Sequence, residues 1–291
     1  MDIYAQLLMN SLQISAVYIL FSLGLTLIFG VMKVVNFAHG EFFTLVLLLM
    51  SVGIPMAVGW NMPLPLAYLF MGLLSVGCTL LIGSLLYQFG FKRFNRDMVG
   101  SFVLSVGLSL LLQGLFLEAF GGAPRKLPGL IEGTVNILGG AITIERLVLS
   151  VVALAIAAFM VVLIAFTKLG KALRAVAEDH EAAMLQGIPY KRIALAGFLI
   201  ATSLAAIAGA LMAPISVITP VIGNDYLIRG FIAIVIGGLG SIPGSILGSV
   251  IIALIDSVGG YYFDPSIATI SMFVVAGLVL LIRPKGLLGN G

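Results

Sequence analysis

Long apolar runs, separated by short polar segments, make up most of the chain. Each run is close to the ~20 residues that a helix needs to cross the hydrocarbon core of a membrane. We predict nine such segments, at 7–30, 42–59, 63–91, 99–120, 146–167, 193–213, 226–241, 244–263 and 267–283. The seventh is short and is followed by a Gly- and Pro-containing break, so the seventh and eighth are candidates for a broken or re-entrant pair. The pattern predicts an all-α, polytopic transmembrane helical bundle with eight or nine membrane segments, some discontinuous.

Composition supports this interpretation and excludes a soluble protein. Of the 291 residues, 61% are hydrophobic and only 9% are charged, whereas soluble chains contain about 25% charged residues. Most of the surface must therefore face lipid, and we predict a single transmembrane domain spanning 1–291. The net charge of +3 comes from Lys and Arg in the loops, so we expect no nucleic-acid partner.

The loop charges predict an orientation. When the loops are assigned alternately to the two sides, all of the Lys and Arg except Arg125, Lys126, Arg146 and Arg229 fall on one side. The positive-inside rule makes that side cytoplasmic. The N-terminus is then outside and the C-terminus is cytoplasmic. The longest external loop, 121–145, is rich in Gly and Pro and shows little periodicity.

One polar stretch, residues 170–192, interrupts the apolar pattern on the cytoplasmic side. Asp179 is a good N-cap, and Gly187 followed by Pro189 is a typical helix stop. These signals predict a short helix from about His180 to Gln186, made slim by Ala182 and Ala183. Such a helix suits insertion into a soluble partner, although an ordinary solvated loop would contain the same residue types.

A second polar stretch lies between the first two apolar segments and reads NFAHGE. Polar groups beside spanning helices are costly unless they face a cavity, water or a partner. We therefore predict a helix break at the translocation pathway, with Asn36 and Glu41 pairing to backbone groups. His39 and Glu41 are the two candidate metal ligands in this stretch. Two ligands do not make a metal site, and we expect no metal here. The residues assigned to this break are Asn36, Phe37, His39, Gly40 and Glu41.

A third stretch, GGLGSIPG, joins the seventh and eighth segments. It lacks the Lys and the strand–loop–helix context of a phosphate-binding loop, which argues against nucleotide binding. Its flexible backbone between two short apolar pieces favours a discontinuous helix that lines a pathway. Small residues four apart, Gly240, Gly244 and Gly248, also indicate close helix packing, as does the Gly/Ala series 197–213. The residues assigned to the break are Gly237, Gly238, Gly240, Ser241, Pro243 and Gly244.

Four motifs together resemble one transporter family. EAAMLQG, at 181–187, is similar to the EAA-x-x-x-G pattern of permease subunits of bacterial ATP-binding-cassette (ABC) importers, with matches at Glu181, Ala182, Ala183 and Gly187. NFAHGE, the region LGKALRAVAEDHEAAMLQGI, GGLGSIPG and the ending RPKGLLG stand in the order found in the LivH-type permeases of branched-chain amino acids. The resemblance covers nearly the whole chain.

This resemblance implies an assembly in the bacterial inner membrane. The partners it implies are a second, related permease subunit in a heterodimer, two cytoplasmic ATP-binding subunits and an external substrate-binding protein. Membrane lipid surrounds the permease subunits. It also implies that the helix at 179–187, with Asp179 as its cap, docks on an ATPase. The chain has no Walker motif, so we expect it to be a transport subunit without enzymatic activity or a cofactor of its own. ATP and Mg²⁺ would be held by the partners.

Other functions stay open at this stage. Within the family, the substrate could be urea, a short amide or another amino acid. An ion-coupled secondary transporter or a channel is the alternative from a different class. We expect the charges Glu118, Asp225, Arg229 and Asp256 to lie near segment ends rather than at mid-membrane, which argues against proton or sodium coupling.

Overall fold

The computed structural model describes residues 3–94, 97–137 and 139–289. The chain is mainly helical, with a two-stranded antiparallel sheet. The elements are α1 Ile3–Met32, α2 His39–Gly59, α3 Leu64–Phe89, a 3₁₀ turn Phe91–Arg93, α4 Met98–Phe120, β1 Thr134–Ile137, β2 Gly140–Thr143, α5 Ile144–Phe166, α6 Lys168–Glu178, α7 His180–Leu185, α8 Tyr190–Met212, α9 Ile222–Gly237, α10 Ile242–Tyr262 and α11 Pro265–Ile282.

The nine predicted apolar segments are all helical, which confirms the predicted polytopic bundle. In the described part of the chain, eight helices are long and apolar enough to cross a membrane. The helix that matches the remaining predicted segment is α9, which has only 16 residues. It is the short seventh segment of the prediction, and the break that separates it from α10 is present.

The helices fall into two compact units. One contains the described parts of 1–26, 131–159 and 228–291, and the other contains those of 27–130 and 160–227. Three of the four boundaries fall within α1, α5 and α9, and the fourth falls between residues 130 and 131, before β1. We call these the terminal unit and the central unit. Nothing in this division tests whether the chain is one domain, and the predicted single domain over 1–291 stays a prediction.

The central unit is built around α2, α3 and α8, which pack on one another. The predicted small-residue face of α8 is buried at Gly197, Ala201, Ala205, Gly209 and Ala213. A Cβ atom added at Gly209 would lie 2.7 Å from the Phe43 carbonyl oxygen in α2. The small side chains therefore let the two backbones touch, as the spacing predicted.

The terminal unit contains the packed pair α10 and α11 and the β-hairpin. The hairpin lies in the stretch 121–145, where the sequence showed no periodicity; its strands are only four residues long, too short for a clear alternating pattern. Gln6 of α1 fixes it by two hydrogen bonds to the backbone of Ala141, at 2.9 and 2.8 Å.

Candidate functional site

The predicted short helix of the polar stretch is present as α7 and is capped at both ends. The Asp179 carboxylate accepts hydrogen bonds from the backbone N–H groups of Glu181 and Ala182, at 2.9 and 3.1 Å. Gly187 has φ +82°, and Ile188 N–H bonds to the Ala183 carbonyl at 3.0 Å. This is a Schellman ending, in which glycine supplies the left-handed residue.

The exposed side of α7 is partly apolar. Ala183 is buried at 5% exposure, whereas Leu185 is 88% exposed and Met184 47% exposed. The Glu181 side chain is 80% exposed. A capped six-residue helix with an exposed leucine and an exposed methionine offers an apolar contact surface to a partner protein. The caps satisfy part of the backbone groups at the two helix ends.

The preceding helix α6 is joined to α5 by a charged side chain. Arg174 donates hydrogen bonds to the carbonyls of Ile164 and Ala165, at the end of α5. An Arg that satisfies the last carbonyls of a helix stabilises that helix end. Arg174 therefore caps the end of α5 and couples α5 to α6.

A basic cavity of about 460 Å³ opens beside this region, between the end of α3 and the start of α8. Tyr190 lines it, and the Tyr190 ring contacts the ring of His180 in α7 at 5.7 Å between centroids. The cavity and α7 therefore share one wall. Its lining residues are Gln88, Lys92, Arg93, Tyr190 and Lys191.

The NFAHGE stretch forms the predicted break and starts α2. The Asn36 side-chain oxygen accepts a hydrogen bond from Ala38 N–H at 3.0 Å, and the Asn36 carbonyl accepts one from His39 N–H at 3.2 Å. Asn36, His39 and Glu41 are all buried, at 2%, 0% and 1% exposure. The prediction that Asn36 pairs with backbone groups at the break is confirmed.

Glu41 is different, because its partners are side chains. Ser109 Oγ and Gln113 Nε2, both from α4, donate hydrogen bonds to Glu41 Oε1 at 2.8 and 2.7 Å. The same Gln113 nitrogen donates to Asn224 Oδ1 in α9 at 3.0 Å. Ser109 is the midpoint of the 23-residue helix α4. The expectation that Glu41 bonds to the backbone is therefore wrong, and its carboxylate lies deep within the span of α4.

The starts of α2 and α9 meet beside this carboxylate. A Cβ atom at Gly40 would lie 2.5 Å from the Gly223 carbonyl oxygen, and one at Gly223 would lie 2.1 Å from that of Gly40. Thr44 Oγ1 accepts a hydrogen bond from Gly223 N–H at 3.0 Å. Only residues without a side chain allow this approach, which places two helix N-termini together inside the central unit.

The residues of α4 that contact Glu41 belong to a regular polar pattern in the sequence. Ser101, Ser105, Ser109 and Gln113 recur every four residues on a helix that is otherwise apolar. Residues four apart share one face, and the three serines on this face are buried. A polar stripe on a spanning helix marks the side that faces protein rather than lipid.

The GGLGSIPG stretch forms a packed corner between α9 and α10. Ser241 caps α10 through Gly244 N–H, at 3.2 Å, and a Cβ atom at Gly244 would lie 2.4 Å from the Gly237 carbonyl oxygen. Gly238 and Gly240 have φ +114° and +83°. Gly240 is exposed, so its place in the predicted packing face is wrong; it is needed for the turn. Pro243 lies in the first turn of α10.

The ending RPKGLLG closes the same corner. Leu287 and Leu288 N–H groups donate to the carbonyls of Ile236 and Gly237, both at 2.8 Å. These are the final carbonyls of α9, which have no partner within their own helix. Two motifs that stand 46 residues apart in sequence are therefore one structural feature, a helix end capped by the C-terminal tail.

The terminal unit also contains a buried ion pair. Arg229 Nε lies 3.2 Å from Asp256 Oδ2, and both side chains are less than 20% exposed. Tyr18 donates its hydroxyl to the same oxygen at 2.6 Å. Arg229 is at the middle of the 16-residue helix α9. The expectation that membrane charges lie near segment ends is wrong for Arg229.

Comparison with known proteins gives one consistent result. The family model described as branched-chain amino acid transport system / permease component matches residues 7–283. LivH of Escherichia coli (strain K12), a high-affinity branched-chain amino acid transport system permease protein, is 29% identical over 308 aligned positions, covering 99% of this chain and 96% of LivH. BraD of Pseudomonas aeruginosa is 29% identical over 295 positions with the same coverage.

Another relative, matched over a smaller part of the chain, is named for a different transported substrate. The xylose/arabinose import permease protein XylH of Sulfolobus acidocaldarius is 30% identical over 190 positions, covering 62% of this chain and 50% of XylH. No solved structure gives a significant match.

Proposed function

The chain belongs to the family of permease components of branched-chain amino acid transport systems, and from this premise we propose that it is the membrane subunit of an ATP-driven importer of branched-chain amino acids. Its N-terminus is outside and its C-terminus is in the cytoplasm, in the inner membrane of a bacterium. Its near-full-length similarity to LivH and BraD supports this substrate class.

The observation that carries the proposal is α7. A helix of six residues, fixed by an Asp179 cap and a Gly187 ending, presents Leu185 and Met184 outward. Two cytoplasmic ATP-binding subunits receive α7 and its counterpart on a second, related permease subunit. An external binding protein delivers the amino acid. Closure of the ATPases on ATP moves α7, and α6 passes the movement to α5 through Arg174.

The translocation pathway in this proposal passes the breaks in the helices. Asn36, Phe37, His39, Gly40 and Glu41 lie at the start of α2, and Gly40 is in backbone contact with the start of α9. Discontinuous helices line the substrate path in many transporters because their ends offer polar backbone groups inside the membrane. The packed corner at residues 237–244 holds the end of α9 and the start of α10 in a fixed arrangement.

Leucine uptake into proteoliposomes tests the proposal. The complex is purified with its partners, the ion gradients are collapsed, and ATP is supplied or withheld on the cytoplasmic side. We expect uptake that requires ATP and the binding protein and that survives the loss of gradients. Uptake that follows a sodium or proton gradient and ignores ATP would show an ion-coupled transporter, for which the buried Glu41 and Asp256 would be the candidate coupling groups.

Substitution of Leu185 tests the docking role of α7. Leu185→Asp places a charge on an apolar contact, and we expect at least about a tenfold loss of ATPase co-purification and of uptake. Leu185→Met keeps an apolar side chain of similar volume and is the matched control, expected to behave like the wild type. Unchanged ATPase association in Leu185→Asp would remove α7 from the interface.

A further inference from the structure

The second oxygen of the Glu41 carboxylate has an unusual environment. Glu41 Oε1 accepts hydrogen bonds from Ser109 and Gln113, but Glu41 Oε2 is fully buried and has no hydrogen-bond partner among the described residues. Within the same described ranges, no Lys, Arg or His forms an ion pair with Glu41. The carboxylate is thus held in one orientation by one oxygen, while the other oxygen is left as a buried acceptor.

A buried acceptor of this kind needs a donor in some state of the protein. Buried polar atoms are almost always paired, and a lone carboxylate in a dry interior is strongly disfavoured. Protonation removes the charge but turns Oε2 into an O–H donor, which also needs a partner in the interior. Ser109 and Gln113 each contribute one group, and both bond to Oε1, whereas a sodium or calcium ion requires several oxygen ligands.

We propose that Glu41 Oε2 binds the primary ammonium group of the transported molecule when it occupies the centre of the membrane. This inference rests on the proposed function and specifies one subsite of the pathway. An ammonium carries three N–H donors and a full positive charge, so one contact satisfies the orphan oxygen and neutralises the carboxylate. In the helix break at residues 36–41, Glu41 directly follows Gly40, whose backbone is in contact with Gly223 at the start of α9.

The geometry also explains why Glu41 is held from one side only. Ser109 and Gln113 fix the plane of the carboxylate through Oε1. Gln113 in turn is fixed by Asn224 of α9. Oε2 therefore keeps its position whether or not a ligand is present, which lowers the ordering cost of binding. In the state described here the oxygen is closed off, so the substrate reaches it only when the helices around the break separate.

Carbodiimide labelling of the wild-type complex tests the proposal without a mutation. Dicyclohexylcarbodiimide reacts with protonated carboxyl groups in apolar surroundings, and an ammonium bound at Oε2 would keep Glu41 ionised and shielded. Peptide mass mapping counts every modified form of Glu41, both the N-acylurea and the amide that an amine probe forms with the activated carboxyl, so that trapping by an amine is not mistaken for protection. The probes are leucine, 3-methylbutylamine, which keeps the ammonium and lacks the carboxylate, and 4-methylpentanoate, which lacks the ammonium, each at millimolar concentration. We expect leucine and the amine to slow labelling of Glu41 by at least about fivefold and the acid to have no effect. Equal labelling with all three, or protection by the acid alone, would overturn the proposal.

Transport by Glu41→Gln gives the second readout and covers the case in which Glu41 resists labelling. Gln keeps the size of the side chain and can still accept at Oε1, so the fold is preserved. We expect leucine transported per ATP hydrolysed to fall by at least about tenfold. A ratio within about twofold of the wild type would overturn the ammonium subsite. Wild-type protein that fails to take up leucine on ATP would instead defeat the proposed function, while amine protection of Glu41 could still be measured.

Discussion

Glu41 in α2 and Asp256 in α10 both lie in helices that are long and apolar enough to cross a membrane, one in each unit, and their surroundings differ in kind. In the terminal unit, Asp256 has an Arg229 partner at 3.2 Å and a tyrosine hydroxyl at 2.6 Å on the same oxygen. In the central unit, Glu41 has only neutral partners, and one of its oxygens has none among the described residues. The first carboxylate is neutralised by the protein, and the second is not.

This difference distinguishes a buried charge that stabilises the fold from a buried charge that takes part in transport. A paired carboxylate has its counter-ion within the protein itself, and replacement of such a buried pair by apolar residues of similar volume is often neutral or stabilising. An unpaired carboxylate persists in a membrane only if something else binds it during function. We therefore assign Asp256 to the architecture of the terminal unit and Glu41 to the transported molecule.

The largest expected effect is on stability, from Asp256→Ala. Removal of this carboxylate breaks the buried ion pair with Arg229, and we expect a loss of about 3–5 kcal/mol in the free energy of unfolding. Thermal unfolding in detergent measures it. The double variant Arg229→Met/Asp256→Leu removes both charges and should recover most of the loss. Equal instability in the single and double variants would show that the pair is not structural.

The next effect concerns the contact between helix starts in the central unit. In Gly223→Ala the new methyl group would lie 2.1 Å from the Gly40 carbonyl oxygen, so α2 and α9 must separate. We expect a loss of about 1–3 kcal/mol in unfolding free energy and reduced uptake. Gly77→Ala in α3, where nothing lies within 4 Å of the new Cβ, is the control and should keep full stability. Equal behaviour of the two variants would show that the contact is not required.

A smaller effect is expected from Ser109→Ala. It removes one of the two donors to Glu41 Oε1 and should cost about 1 kcal/mol, together with a drop in leucine uptake because the carboxylate loses its fixed orientation. Ser105→Ala is the control: Ser105 is buried on the same face of α4 but donates to the carbonyls of Val35 and Phe102. If both variants transport alike, Ser109 does not position Glu41.

The smallest effect is a pH dependence from an exposed acid. The hydrogen bond from Ser266 N–H to Asp264, at the start of α11, lowers the pKa of Asp264 below its usual value. A lowered pKa in the folded state means that the stabilisation is present above the pKa of the unfolded chain and is lost as pH falls through the folded-state pKa. Asp264→Asn keeps a cap that does not titrate. Acid unfolding curves of the two proteins should therefore differ only in this low-pH range; identical curves would contradict the assignment.

Much of the fold could be predicted because membrane segments have a strong local signal. Length and hydropathy placed all nine apolar helices, and the cap residues Asp179 and Gly187 placed α7. Such features depend on residues that are close in sequence. The β-hairpin was missed because four-residue strands carry too little pattern.

The candidate site could be predicted only in part, because its partners are distant in sequence. The NFAHGE stretch indicated that burying Glu41 costs free energy. No local pattern, however, indicated its contact with Gln113, 72 residues away, or the contact of Gly40 with Gly223. The same limit hid the pairing of Arg229 with Asp256. Only the four-residue spacing of Ser101, Ser105, Ser109 and Gln113 gave a usable hint, since it marks a polar face on α4.

The most direct test compares the two buried acids in one assay, ATP-driven leucine uptake by reconstituted complexes of known protein content. Glu41→Gln should keep its thermal unfolding temperature and lose at least about tenfold in uptake. Arg229→Met/Asp256→Leu should keep its uptake and most of its thermal stability. Full uptake by Glu41→Gln, combined with loss of uptake in a stably folded Arg229→Met/Asp256→Leu complex, would contradict the account, because it would place the functional charge in the terminal unit.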